Sequence, residues 1–119
     1  MKIRNEQIQA FADERQQSFE VRAFDYLRQH HHNNELIRED AQLRLFIENG
    51  VRQAHTHRIT KEIDTIRFLE VLLVIGTDFE VHAEYQWASE FLALALPSEE
   101  RLDRIIEFIR FQPGAVKTK

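Results

Sequence analysis

The chain has 119 residues, of which 43% are apolar and 30% charged, with a net charge of −4 and no cysteine. That length fits one ordinary domain, the apolar share is too high for disorder, and the missing Cys excludes a disulfide framework, a thiol nucleophile and a Cys-ligated zinc. The longest apolar run, Val71-Leu72-Leu73-Val74-Ile75, is far short of the about 20 residues a bilayer span needs.

Met1-Lys2-Ile3-Arg4-Asn5-Glu6 opens on charge and no signal-peptide-like stretch follows, so a cytoplasmic protein is expected. Three Gly and two Pro leave long unpunctuated segments, which favour helices over many short strands. The expected fold is all-α. It is a single compact domain over 1–112, built from five helices, with 113–119 as a frayed tail.

Helix one is expected from Asn5, as N-cap, to His31. Ile8, Phe11, Phe19, Ala23, Tyr26, Leu27 and His30 form one helical stripe, with Arg15 interrupting it and Val21 and Phe24 lying off it. The polar break His31-His32-Asn33-Asn34 follows. Helix two is expected from Glu35 to Thr56, or only from Asp40, a second possible cap. Its inner face is Leu43, Phe46, Ile47, Val51 and Ala54. Gly50 lies inside it at a cost of roughly 1 kcal/mol against Ala, so it serves either a close helix contact or a break.

Thr60 is the expected cap of helix three, with Glu62 and Asp64 in the first turn, where the helix dipole favours acids. Ile63, Ile66, Leu69, Leu72 and Leu73 supply one face. Phe68, Val71, Val74 and Ile75 make the helix apolar on nearly all sides, the pattern of a buried central helix over 63–75. Gly76 is its stop. A strand over Val71–Ile75 is the competing reading. Residues 77–83 read as a loop. Helix four is expected from Glu84 to Leu94 with Trp87, Ala88, Phe91 and Leu92 inward and Tyr85 outward. Pro97 ends that region. Ser98 caps helix five, whose stripe is Leu102, Ile105, Ile106 and Ile109, and Pro113-Gly114 stops it.

No pattern here carries an obvious chemistry. Consecutive helical residues lie about 100° apart, so His30-His31-His32 cannot share one metal on a regular helix and reads as helix-end surface. His55 and His57 miss the i, i+4 spacing of a zinc helix and would join His82 only through tertiary folding. The acid pairs Asp13-Glu14, Glu39-Asp40 and Glu99-Glu100 read as solvated or capping groups. Ser18, Ser89 and Ser98 lie in no nucleophile elbow. No cofactor and no metal are therefore expected.

Charge is unevenly spread. Residues 1–60 balance, whereas 61–100 carry Lys61 and Arg67 against nine acids, a net of −7. Such a stretch repels a phosphate backbone, so nucleic acid is not an expected partner, nor is a membrane. A basic protein would suit it, although a plain solvated face is the simpler reading.

A longer pattern follows: Gly50-Val51-x-x-Ala54, Ile59-Thr60-x-Glu62-x-Asp64, Phe68-Leu69, Ile75-Gly76-x-Asp78-Phe79, Trp87-Ala88, and Pro97 with Arg101-Leu102-Asp103. It resembles small helical proteins of unknown biochemical activity encoded beside type VI secretion spike genes (VgrG and PAAR proteins) and toxic effectors in Gram-negative bacteria. The likeness spans roughly residues 1–110. Family members often have Tyr-Gly where this chain has His57-Arg58, and Pro where it has Gln86, which leaves those turns open. The resemblance implies a non-enzymatic accessory protein, either an adaptor or chaperone for a secretion effector or spike component, or an immunity protein against a cognate toxin. A small metal-dependent enzyme using His55, His57 and His82 is the remaining alternative. Asp78, Glu80, Glu84 and Tyr85, inside the acidic stretch, are the expected partner-binding residues. Self-association stays open.

Overall fold

The computed structural model describes the backbone of residues 5–112, 114 and 116, and side chains from Ser18 onward. The expected Asn5 cap, the side chains of Ile8, Phe11 and Arg15, the pair Asp13-Glu14 and most of the 113–119 tail lie outside the described residues. The fold is all-α, with no strand among the described residues. Its helices are α1 (Asn5–His30), α2 (Asp40–Thr56), α3 (Glu62–Ile75), α4 (Gln86–Leu92) and α5 (Ser98–Phe111). Three short 3-10 turns, Glu35–Ile37, Phe79–Val81 and Ala83–Tyr85, complete it. Packing divides the chain into two compact units, residues 1–48 and 49–119.

In the first unit Phe19, Ala23, Leu27, Ile37, Leu43, Phe46 and Ile47 are buried. The expected stripe is therefore buried at Phe19, Ala23 and Leu27, with Tyr26 half-buried. His30 is exposed, and Tyr26 stacks on it with ring centroids 4.4 Å apart. The Arg28 guanidinium ties the turn to α1, donating to Ile37 O at 2.7 Å and to the Asp40 carboxylate at 2.9 Å. Asp40 is thus occupied elsewhere and does not cap α2. Glu39 takes that place. Its carbonyl accepts the first helical bond from Leu43, and its N–H donates to the Gln42 side chain at 2.8 Å, half of a capping box.

The second unit is organised by α3, where Phe68, Leu69, Val71, Leu72, Leu73 and Ile75 are buried. The competing strand reading is overturned: this run is helical. Ile63 and Val74 break the all-round pattern, being 67% and 48% exposed, because even the central helix keeps one narrow side toward solvent. Gly50 explains itself here. A Cβ on it would lie 2.2 Å from Leu69 Cδ2, so the glycine lets α2 approach α3 closely without breaking the helix. Gly76 ends α3 with φ +95° and donates to Leu72 O.

Two expected caps are corrected. Lys61, not Thr60, is the N-cap of α3, without a side-chain bond. Thr65 instead closes the first turn, both its N–H and its hydroxyl donating to Lys61 O, at 2.9 and 2.8 Å. Pro97, not Ser98, is the N-cap of α5. The Ser98 hydroxyl donates to the buried Asp64 carboxylate at 2.5 Å, linking the first turns of α5 and α3. Helix four is shorter than expected, since Ala83–Tyr85 winds as a 3-10 turn and the chain leaves the helix after Leu92. α5 packs on both α3 and α4.

One buried cation joins these pieces. Arg101 is only 2% exposed. Its guanidinium donates to four backbone carbonyls: Leu96 at 2.9 Å, His57 at 2.7 Å, Leu92 at 2.9 Å and Arg58 at 3.2 Å. Burial, and then the neighbouring charge of Arg58, lower its pKa from the usual value, while Asp64 acts in the opposite sense. The clamp holds the turn after α2 and the connection between α4 and α5.

The turn after α2 has no glycine. Arg58 adopts the left-handed conformation at φ 61°. Arg58 N donates to His55 O at 3.0 Å and Ile59 N to Ala54 O at 2.9 Å, the two bonds of a Schellman motif. Ile59 and Ala54 are both fully buried, supplying its usual apolar contact. The left-handed position that glycine usually fills is thus held by an arginine.

Candidate functional site

The segment 77–85 connects α3 to α4 as two successive 3-10 turns. Its shape follows from alternating anchors and exposed groups. Phe79 is buried at 1% exposure and Tyr85 at 8%. Phe79 meets Phe68 edge-on, with centroids 6.5 Å apart, and Tyr85 meets Trp87 likewise at 6.3 Å. Between these anchors Val81 is 81% exposed and Glu80 and Glu84 are exposed, as is Asp78 just before Phe79.

The end of α2 holds this segment from one side. Gln53 Nε2 donates to Thr77 O at 3.2 Å and to Glu80 Oε1 at 2.6 Å. The same oxygen lies 3.2 Å from His57 Nε2, and the His57 ring sits near Phe68 and Phe79, at 6.0 and 6.2 Å. Within the segment His82 Nε2 pairs with Asp78 Oδ2 at 2.8 Å. That hydrogen bond from His82 holds the Asp78 carboxyl below its usual 3.8. In return the Asp78 hydrogen bond, its charge and then Glu84 raise the His82 imidazole above 6.5.

The four residues expected to bind a partner therefore fall into two kinds. Asp78, Glu80 and Glu84 are exposed and neighbouring in the chain. Tyr85 is corrected from outward to buried, because the 3-10 turn before α4 rotates it inward beside Trp87. Val81, the most exposed large apolar side chain among the described residues, was missed. A lone Val between acids in a loop gives no periodic signal.

The other candidates do not gather into a reactive constellation. Among the described residues no group of three or more His, Asp or Glu converges as a metal site. His57 and His82 each face a carboxylate, and His55 is exposed. Ser98 donates to Asp64, so its hydroxyl is taken up by a carboxylate. Trp87 stacks on Phe108 with centroids 4.5 Å apart and meets Phe91 at 6.4 Å. It is half-buried, and its buried Nε1 has no acceptor among the described residues. No described helix is long and apolar enough to cross a membrane.

No protein-family model, curated protein or solved structure matches this chain. Nothing in these comparisons links the chain to type VI secretion.

Proposed function

We propose that the chain is a non-enzymatic protein-binding accessory factor that recognises a basic partner through segment 77–85. The observation that carries this reading is Val81, 81% exposed and flanked by Asp78, Glu80 and Glu84, on turns whose buried anchors fix them in place. An apolar tip with a charged rim is the usual anatomy of an interface centre, and a pre-ordered loop reduces the entropy cost of binding. The motif resemblance supports an adaptor or chaperone role toward a secretion effector or spike protein.

The test is co-purification of the full chain with the products of its neighbouring genes. Val81→Asp and Glu84→Lys are expected to abolish recovery of the partner while leaving the far-UV circular dichroism unchanged. Recovery of no partner by the wild-type chain, or equal recovery by both variants, would overturn the reading. The net of −7 over residues 61–100 favours a second reading, an immunity protein covering a basic toxin site. Co-expression with the adjacent toxin decides it, because an immunity protein restores growth and an adaptor does not.

A further inference from the structure

A second surface, in the first unit, is independent of segment 77–85. Between α1 and α2 lies an open groove of about 680 Å³ lined by Glu20, Val21, Phe24, Asp25, Arg44, Ile47 and Glu48. Each helix contributes residues at i, i+3 and i+4: Val21, Phe24 and Asp25 from α1, and Arg44, Ile47 and Glu48 from α2. Such residues are neighbours on a helix surface, so the groove has an apolar floor of Val21, Phe24 and Ile47 with charges along it. Val21 is 63% exposed. Among the described side chains of α1, it and Phe24 are apolar residues that the buried stripe of Phe19, Ala23 and Leu27 does not use.

The rim is acidic in effect. The Arg44 guanidinium lies over the Phe24 ring, 5.3 Å from its centroid, and Arg28, already paired with Asp40, lies 5.7 Å from it, both cation–π arrangements. Neither Asp25 nor Glu48 has an ion-pair partner among the described residues. An occupant must therefore bring apolar side chains for the floor and cations for Asp25 and Glu48. No strand among the described residues offers an edge for an extended peptide to join, whereas a groove between two helices receives a third helix through i, i+3, i+4 and i+7 anchors. We infer that this groove docks a basic amphipathic helix of a partner protein.

The probe is a fluorescein-labelled synthetic helix of about 18 residues, five turns long, with Leu on one face and Lys flanking it. Its control carries Glu in place of every Lys. Anisotropy titration of the full chain is expected to give saturable binding of the Lys peptide and none of the Glu peptide. Val21→Glu and Glu48→Lys should each raise Kd about tenfold, equivalent to about 1.4 kcal/mol. Both side chains are exposed, so circular dichroism should report an intact fold. Val81→Asp should leave this Kd unchanged, which separates the groove from segment 77–85. Four results would overturn the inference: no saturation up to about 1 mM, equal binding of both peptides, indifference of Kd to both groove variants, or a dimer of the free chain that Val21→Glu dissociates. The last would make a second copy the occupant.

Discussion

Arg101→Met removes the clamp while keeping an aliphatic stem of similar reach. The guanidinium makes four bonds to carbonyls, and a bond to a charged group contributes about 1.5–3 kcal/mol. The sum overstates the loss. Three of the four bonds are only part-buried, so water can reach those carbonyls once the side chain is gone. Only the bond to Leu92 O is fully buried, and there the full penalty of an unsatisfied group applies. The variant also relieves an unfavourable position, since Arg101 carries its charge in the first turns of α5, near the positive end of the helix dipole. A loss of about 3–5 kcal/mol results, the range for removing one member of a buried charged network. Arg101→Lys should lose less, about 1–3 kcal/mol, because an ammonium has three donors but no planar fork. Urea denaturation followed by Trp87 fluorescence reads the second unit specifically, as Trp87 is the one tryptophan of the chain. A loss below about 1 kcal/mol for Arg101→Met, or equal losses for Met and Lys, would refute the clamp as a stabilising device.

Other outcomes follow from the same geometry. Gly50→Ala should fail to stabilise α2: the propensity gain of about 1 kcal/mol is offset by overpacking against the fully buried Leu69, which costs about 1–3 kcal/mol, and a net gain in urea midpoint would contradict the close approach. Arg58→Gly should stabilise by about 0.5–1 kcal/mol, since a side chain in the left-handed region is strained, and calorimetry showing a lower Tm would count against that turn. The His82 imidazole should titrate above 6.5 by NMR and fall toward 6.5 in Asp78→Asn. The sign follows from both partners: the raised His82 contributes stability below its unfolded pKa and loses it as pH rises through the folded value, while the lowered Asp78 loses its contribution as pH falls through its own folded value. The pair is therefore intact from below 3.8 to above 6.5, and an unshifted His82 that ignores Asp78→Asn would dissolve it.

Much of the fold was legible because apolar spacing is a direct record of burial. Leu43, Phe46, Ile47, Val51 and Ala54 were placed on the inner face of α2 by their period alone, and all five are buried. Gly50 and Gly76 were legible as exceptions to that period. Caps were not. Thr60, Ser98 and Asp40 have the right chemistry, but a cap is fixed by where the backbone leaves helical angles, and tertiary partners shift it. Ser98 is drawn to Asp64, and Asp40 to Arg28. Arg101 was the larger omission. It lies four residues before Ile105, on the α5 stripe itself, and a charge on an apolar stripe is the one local sign that it turns inward. The candidate segment was half legible: its acids stand out by charge, while the exposure of Val81 and the burial of Tyr85 depend on two 3-10 turns that no apolar period marks.

The reach of Arg101 also bears on how the chain comes together during synthesis. Its contacts to His57 and Arg58 span 44 and 43 residues, so they close late. A ribosome releases residues 57–58 well before residue 101. Until α5 emerges and docks, the strained arginine turn has only its local helix-end bonds and the exposed contacts of His57 to Glu80 and of Arg58 to Leu94 O to hold it. The C-terminal helix thus acts as a latch on a turn made much earlier. A nascent chain halted before α5 should carry that turn, and the α2–α3 junction it shapes, in a loosened form.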